Sequence, residues 1–159
     1  MIDAPLSIPR GRRTIEDRSG PHLRACDREL LKLKIRFFPI TLGPMRTLTV
    51  RGLGLAARLR EDGFEVVEGY PGGAQDLWGI PRKQAGVAAL QRRLRALGLG
   101  GDLDKRSLTH DELDAVTIAW VGWCFRKGRG MLIGDPSEGQ MLLPNPRPLP
   151  RSASRRPGH

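Results

Sequence analysis

Cysteine is scarce in this sequence, and the two residues present form no recognisable motif. Cys26 and Cys124 lie far apart in the chain, and neither belongs to a C-x-x-C pair. This pattern excludes a disulfide framework and the usual cysteine-containing zinc motifs. Because disulfides are rare in the reducing cytoplasm, a cytoplasmic location is the expectation.

Long apolar runs and targeting signals are also missing. No hydrophobic stretch approaches the roughly 20 residues that cross a bilayer. The first residues carry Asp3 and then a Pro-Arg-Gly-Arg-Arg run, which is unlike a leader peptide. The sequence therefore predicts no membrane partner.

Aromatic residues make up only 5% of the chain and are not interleaved with arginine. We therefore expect Trp78, Trp120 and Trp123 to be buried or half-buried packing residues and not platforms for nucleobases. The three histidines do not cluster with serine or cysteine. No G-x-G-x-x-G or Walker motif develops after any predicted strand.

Acidic residues are outnumbered by basic ones. The chain has 17 Asp and Glu against 27 Lys and Arg, a net charge of +10. Such an excess favours polyanionic partners, nucleic acid before an anionic membrane. Arg10, Arg12 and Arg13 form a cluster that can contact phosphate, although a basic run in a loop is more often simply solvated.

The pattern of apolar residues predicts an α/β fold in one domain, residues 1–144, followed by a disordered basic tail at 145–159. A strand is expected over residues 64–70, and a C-terminal β-hairpin is expected from 131–133 and 140–143. Helical spacing predicts helices over residues 23–38, 45–62, 74–78, 83–97 and 109–122.

The last of these helices begins with acidic residues. Thr109 and Glu112 form a T-x-x-E capping box. Asp111 and Asp114 are three residues apart and can share a face of the helix. First-turn carboxylates are ordinary partners of the helix dipole, so a role for Asp114 as a metal ligand requires other carboxylates nearby.

Several strings occur in an order that is typical of one prokaryotic family: IDAPLSIP, RACDREL, VVEGYPGGAQDLWGIPRK, THDELDAVTIAWVG and IGDPSEGQMLLP. From Met1 to about Pro144 the chain resembles the domain of unknown function 429 family, predicted nucleases with an RNase H-like fold. The resemblance implies a five-stranded mixed sheet flanked by helices. It also implies Mg²⁺ or Mn²⁺ held by carboxylates, because these hard cations prefer oxygen ligands.

The resemblance assigns roles to four acidic residues. Asp3 corresponds to the acid on the fourth strand of the fold, and Asp114 to the acid on the last major helix, with Asp111 close by. Glu68 falls on the fifth strand and is the weaker candidate. On this reading Asp3, Glu68 and Asp114 are catalytic, and Asp3, Asp111 and Asp114 bind metal.

One departure from the family pattern is large. The three strands that precede the IDAPL motif, with the first metal-binding acid, are absent before Met1. We therefore expect an N-terminally truncated RNase H-like domain, with a short parallel strand pair, a bare sheet edge and no nuclease activity by itself. The missing strands would come from upstream sequence or from a partner chain, or the protein would be a degenerate remnant.

Two other functions stay open at this point. In the first, the chain is a non-catalytic nucleic-acid-binding protein that uses Arg10, Arg12, Arg13 and the tail arginines, with an affinity that falls steeply as salt is added. Alternatively, it is a structural subunit whose exposed sheet edge pairs with another chain or with a second copy.

Overall fold

The computed structural model describes residues 1–146, so residues 147–159 of the predicted tail lie outside the described part. Helices and strands are mixed along the chain, as expected for an α/β protein. No helix in residues 1–146 has the length and apolar character needed to cross a bilayer. In chain order the elements are α1 Ala25–Lys32, α2 Gly43–Glu61, β1 Glu68–Gly69, α3 Pro71–Leu77, a 3₁₀ helix Lys83–Ala85, α4 Val87–Ala96, α5 Asp102–Lys105, α6 His110–Arg126, β2 Gly130–Asp135 and β3 Gly139–Pro144.

Strand β3 lies at the centre of a three-stranded mixed sheet, between β1 and β2. It pairs in parallel with β1, where Met141 is opposite Glu68, and antiparallel with β2. On the other side of β1, Ile2 forms a parallel bridge with Glu68. The Ile2 amide donates to Val67 O at 3.0 Å, and the Gly69 amide donates to Ile2 O at 2.9 Å. The predicted strand pair and hairpin are confirmed, but they join in one sheet that is wider than expected.

The strand predicted over residues 64–70 is too long, because only Glu68 and Gly69 belong to the sheet. The β-branched pair Val66 and Val67 favours extended backbone, but a strand also needs a hydrogen-bonded neighbour. Phe64 is 62% exposed and has no strand beside it in residues 1–146. The sequence pattern indicates that a segment prefers extended backbone, but it does not show how far a neighbouring strand runs beside it.

The helix predicted over residues 23–38 is wrong beyond Lys32. Lys34 has a φ of 59°, in the left-handed region that does not continue a right-handed helix. The Ile35 amide then donates to Leu30 O at 2.9 Å, which closes the end of α1. The chain runs on towards α2 without regular structure.

Two buried clusters cover the two faces of the sheet. Because side chains alternate along β3, Leu142 packs in one cluster and Met141 and Leu143 pack in the other. The first cluster attaches α4 and α6 to the sheet, and the second attaches α1 to the hairpin. The N-terminal end of α6 and the strand β1 are thereby fixed to one rigid centre.

Helix α2 is attached to the molecule by one narrow face. Of its 19 residues, only Thr49, Gly52 and Ala56 are buried. A Cβ built on Gly52 would lie 2.8 Å from the Ala4 Cβ and 2.9 Å from Pro5 O. The helix backbone therefore rests directly on the segment that follows Asp3.

Candidate active site

A cavity of about 260 Å³ opens between the N-terminal segment, β1, α3, α6 and the irregular chain between α1 and α2. We call it the cleft. Asp3, Glu68 and Asp114 all line it, although they are far apart in the sequence. The carboxyl groups of four residues and the guanidinium groups of two line the cleft, a formal surplus of two negative charges.

The structure brings together three of the four predicted acidic residues. Asp3 follows the Ile2 bridge and is exposed, Glu68 is on β1, and Asp114 is on the second turn of α6. Asp111 lies on the same helix but is exposed and does not line the cleft. Asp111 is therefore poorly placed to share a ligand with the other three.

Glu68 is held in a buried ion pair that the sequence analysis missed. Arg24 donates to Glu68 Oε2 at 2.7 Å and to Glu68 Oε1 at 2.9 Å, and it also donates to Asp27 Oδ1 at 2.9 Å. The Leu6 amide donates to Glu68 Oε2 at 2.7 Å. With both carboxylate oxygens engaged, Glu68 is better suited to fix the cleft floor than to bind a cation.

The electrostatics of this group favour its charged form. Burial of the Arg24 guanidinium opposes its charge, but Glu68 and Asp27 outweigh that effect and leave the pKa of Arg24 above its ordinary value. The signal for Asp27 was present in the sequence, since it follows Arg24 by three residues at the start of α1. The partnership with Glu68 joins distant positions and has no local signature.

Asp114 is oriented by a side chain from α3. It is 6% exposed, and Gln75 Nε2 donates to Asp114 Oδ1 at 3.3 Å. The same amide nitrogen lies 3.3 Å from Thr117 Oγ1, whose hydroxyl donates to Leu113 O at 2.7 Å. The sequence offered no signal for Gln75, a buried polar residue that follows the small residues 72–74 in α3.

Tyr70 and Arg82 form the outer polar edge of the cleft. Tyr70 OH donates to Arg36 O at 2.5 Å, and Arg82 Nη2 donates to the same carbonyl at 2.9 Å. Arg82 also pairs with Asp76 at 2.5 Å. Burial raises the pKa of the Tyr70 hydroxyl, and the positive charge of Arg82 partly offsets this.

No group of three or more His, Cys, Asp or Glu side chains in residues 1–146 is arranged to hold a metal ion. The cleft therefore has no closed cage of protein ligands. Besides Glu68, which is bound to Arg24, the predicted acidic residues on the lining are Asp3 and Asp114. Two carboxylates are a donor set compatible with Mg²⁺, which usually keeps several waters and completes its shell with substrate oxygens.

The three arginines predicted to contact nucleic acid lie away from the cleft and differ in their surroundings. Arg10 is exposed and pairs with Asp135 at 3.1 Å. Arg12 is 8% exposed and donates to Pro21 O and Asp17 O, both at 2.5 Å, so it stabilises its own loop. Arg13 is exposed. Of the three, Arg12 is the least available to a phosphate.

The tryptophan residues divide into two kinds. Trp78 is buried as expected, whereas Trp123 is 43% exposed. The Trp123 ring stacks on Trp120 with centroids 4.4 Å apart and planes 7° apart. Arg129 and Lys127 lie over Trp123 at 5.0 and 5.8 Å. Trp123 is therefore more exposed than expected, although one face of its ring packs on Trp120.

Comparison with known proteins provides no relative from which to transfer a function. No family model, curated protein or solved structure matches the chain. The geometry of the cleft is therefore the basis for a functional proposal.

Proposed function

We propose that this protein acts in divalent-cation-dependent hydrolysis of phosphodiester bonds in nucleic acid, with an RNase H-like arrangement of acidic residues. The observation that carries the proposal is the presence of Asp3 and Asp114 on the lining of one cleft. Their motifs also resemble the predicted nuclease family. The net charge of +10 favours association with a polyanion.

Asp3 and Asp114 would hold the cation, Mg²⁺ or Mn²⁺. When bound, such a cation stabilises charge on phosphate oxygens and lowers the pKa of a bound water. Gln75 orients the Asp114 carboxylate through its amide nitrogen. The Arg24–Glu68 pair holds β1 and the Leu6 amide in place beneath the cleft.

Cation binding provides the first test, with a matched control on the same helix. Asp114→Asn and Asp3→Asn each remove one ligand charge, so we expect Mn²⁺ affinity to fall by at least about tenfold. Asp111→Asn removes the same charge outside the cleft and should leave the affinity unchanged. Titration calorimetry with Mn²⁺ measures both effects, and equal affinities for the Asp111 and Asp114 variants would overturn the proposal.

Cleavage of labelled single- and double-stranded nucleic acid by the same variants tests the reaction. Cleavage that requires Mn²⁺, is lost in Asp114→Asn and is retained in Asp111→Asn would support hydrolysis by this chain. Cation binding at the cleft without cleavage would match the expectation that a further acid is required.

A second candidate function is nucleic acid binding that needs no cation. The exposed Trp123 ring with Arg129 and Lys127 above it favours this alternative, because aromatic and cationic groups together suit single strands. This surface predicts affinity that falls with salt and persists in EDTA. Loss of that affinity in Trp123→Ala, with Asp114→Asn unaffected, would distinguish it from the cleft.

A further inference from the structure

The cleft has an apolar half as well as an acidic one. Its acidic half contains Asp3 and Asp114, and its other half is built from the chain between α1 and α2 and from the first turns of α2. The apolar residues of that half are Phe37, Phe38, Ile40, Met45 and Leu48. An apolar pocket with a few polar groups at one end is typical of a site for an organic ligand.

Phe38 is the most exposed member of this half, at 70%. The exposed ring adjoins the other apolar residues of the cleft, so it offers a surface that a bound ligand can cover. The residues on either side are well anchored, because Ile35 and Ile40 are both buried. Phe38 is therefore presented by a fixed segment.

Two hydrogen bonds from Tyr70 and Arg82, the polar edge of the cleft, hold the segment that carries Phe38. Tyr70 OH and Arg82 Nη2 both donate to Arg36 O, at 2.5 and 2.9 Å. Arg82 is itself held by Asp76 at 2.5 Å. The position of the aromatic wall is thus linked to α3, which also supplies the Gln75 that orients Asp114.

We infer that the apolar half binds one unpaired nucleobase, which makes single-stranded nucleic acid the substrate class of the cleft. The inference rests on the proposed function, because a phosphate bound to a cation at Asp3 and Asp114 would carry its nucleoside into the same cavity. The whole cleft, with its acidic and apolar halves together, has a volume of about 260 Å³, which is below the roughly 300 Å³ of small ligand pockets. Its apolar half therefore suits a single base, whereas bases in a duplex are stacked and paired and must be extruded first.

The test compares oligonucleotide binding by Phe38→Ala and by Phe64→Ala. Phe64 is the matched control, since it is 62% exposed but does not line the cleft. Fluorescence anisotropy is measured with a labelled phosphorothioate single strand in Mn²⁺. Loss of one aromatic stacking contact should weaken binding by about 5- to 150-fold for Phe38→Ala, and Phe64→Ala should bind as the original protein does. Phe38→Trp should retain affinity.

An abasic strand of the same length provides a test that needs no variant. It keeps the phosphates but lacks the bases, so the original protein should bind it more weakly than the intact strand, by a factor close to that of Phe38→Ala. Equal affinity for the two strands, or equal effects of the Phe38 and Phe64 variants, would overturn the inference. Preference for a hydrophobic peptide over the intact strand would also overturn it.

The two proposals can fail separately. If Asp114→Asn abolishes Mn²⁺-dependent cleavage but Phe38→Ala leaves single-strand affinity unchanged, the proposed function stands and the base site falls. If Phe38→Ala weakens oligonucleotide binding but Asp3→Asn and Asp114→Asn leave Mn²⁺ affinity unchanged, the hydrolytic function is wrong.

Discussion

At the scale of single residues, Arg24 is a buried charged side chain on the lining of the cleft. Its guanidinium is buried between Asp27 and Glu68. Removing one partner of a buried ion pair leaves an uncompensated charge, which typically costs about 3–5 kcal/mol. We therefore expect Arg24→Met to lower the free energy of unfolding by that amount in urea titrations. Arg28→Met, an exposed change on the same helix, should stay within about 0.5 kcal/mol.

The two thiols should be unreactive in the folded protein. Burial raises the pKa of Cys26 to about 12, and burial also raises the pKa of Cys124. Because the thiolate is the reactive form, we expect neither to react with Ellman's reagent at mildly alkaline pH. Both should react once denaturant unfolds the chain, and rapid labelling of the native protein would contradict this.

The sequence predicted some site residues and not others for a physical reason. Asp3 and Asp114 were identified from motifs, and both line the cleft. The engagement of Glu68 could not be predicted, because its partner Arg24 is distant in the chain and becomes a neighbour only after folding. Burial of a charged residue also depends on the whole fold and not on the local pattern.

At the scale of elements, two glycines of α2 should respond in opposite ways to the same change. Gly52→Ala places a Cβ 2.8 Å from the Ala4 Cβ, and such overpacking typically costs about 1–3 kcal/mol. Gly54 has no atom within 4 Å of its Cβ position. Gly54→Ala should therefore stabilise the helix by about 0.5–1 kcal/mol. Urea unfolding of both variants checks the signs, and destabilisation by Gly54→Ala would contradict the packing described for α2.

The N-terminal end of α6 predicts a dependence of stability on pH. A hydrogen bond from Arg106 at 2.6 Å and one from the Thr109 amide lower the pKa of Glu112 from 4.5 to about 2. A carboxyl group whose pKa is lower in the folded state contributes stability above its unfolded value and loses it as the pH falls. The contribution should be complete above pH 4.5 and disappear towards pH 2.

Thermal unfolding between these two pH values tests the role of the cap. Glu112→Gln should remove part of the fall in Tm seen for the original protein. Glu65→Gln, in an exposed loop, serves as the control and should keep the full fall. Identical pH profiles for the original protein and Glu112→Gln would contradict a role of the Arg106 contact.

Elements whose signals lie within one short segment were predicted best. The capping box of Thr109 and Glu112 gave the start of α6 correctly, because both partners lie within one turn. The end of α1 was missed because the apolar residues keep helical spacing past Lys34, although the backbone turns into the left-handed region there. Strand β1 depends on Ile2 and β3, which are far from it in sequence.

At the scale of the whole molecule, the α/β class and the C-terminal hairpin could be predicted, but their assembly could not. The parallel pairing of β1 with β3 makes β3 the central strand and leaves β2 at the edge of the sheet. Nothing local in the sequence of β3 distinguishes this arrangement from an independent hairpin. The two buried clusters on opposite faces of the sheet join residues that are far apart in the sequence, and such contacts have no local signature.

Because few residues of α2 are buried, the two sides of the cleft should differ in how readily they unfold locally. The Asp114 side belongs to the buried centre, whereas α2 is anchored mainly through Thr49, Gly52 and Ala56. Regions with few buried contacts open locally at a lower free energy than global unfolding requires. Amide hydrogens of α2 should therefore exchange with deuterium sooner than those in the middle of α6. A ligand that bridges Met45 or Leu48 to the acidic half would slow that exchange, so deuterium uptake by α2 should report occupancy of the cleft directly.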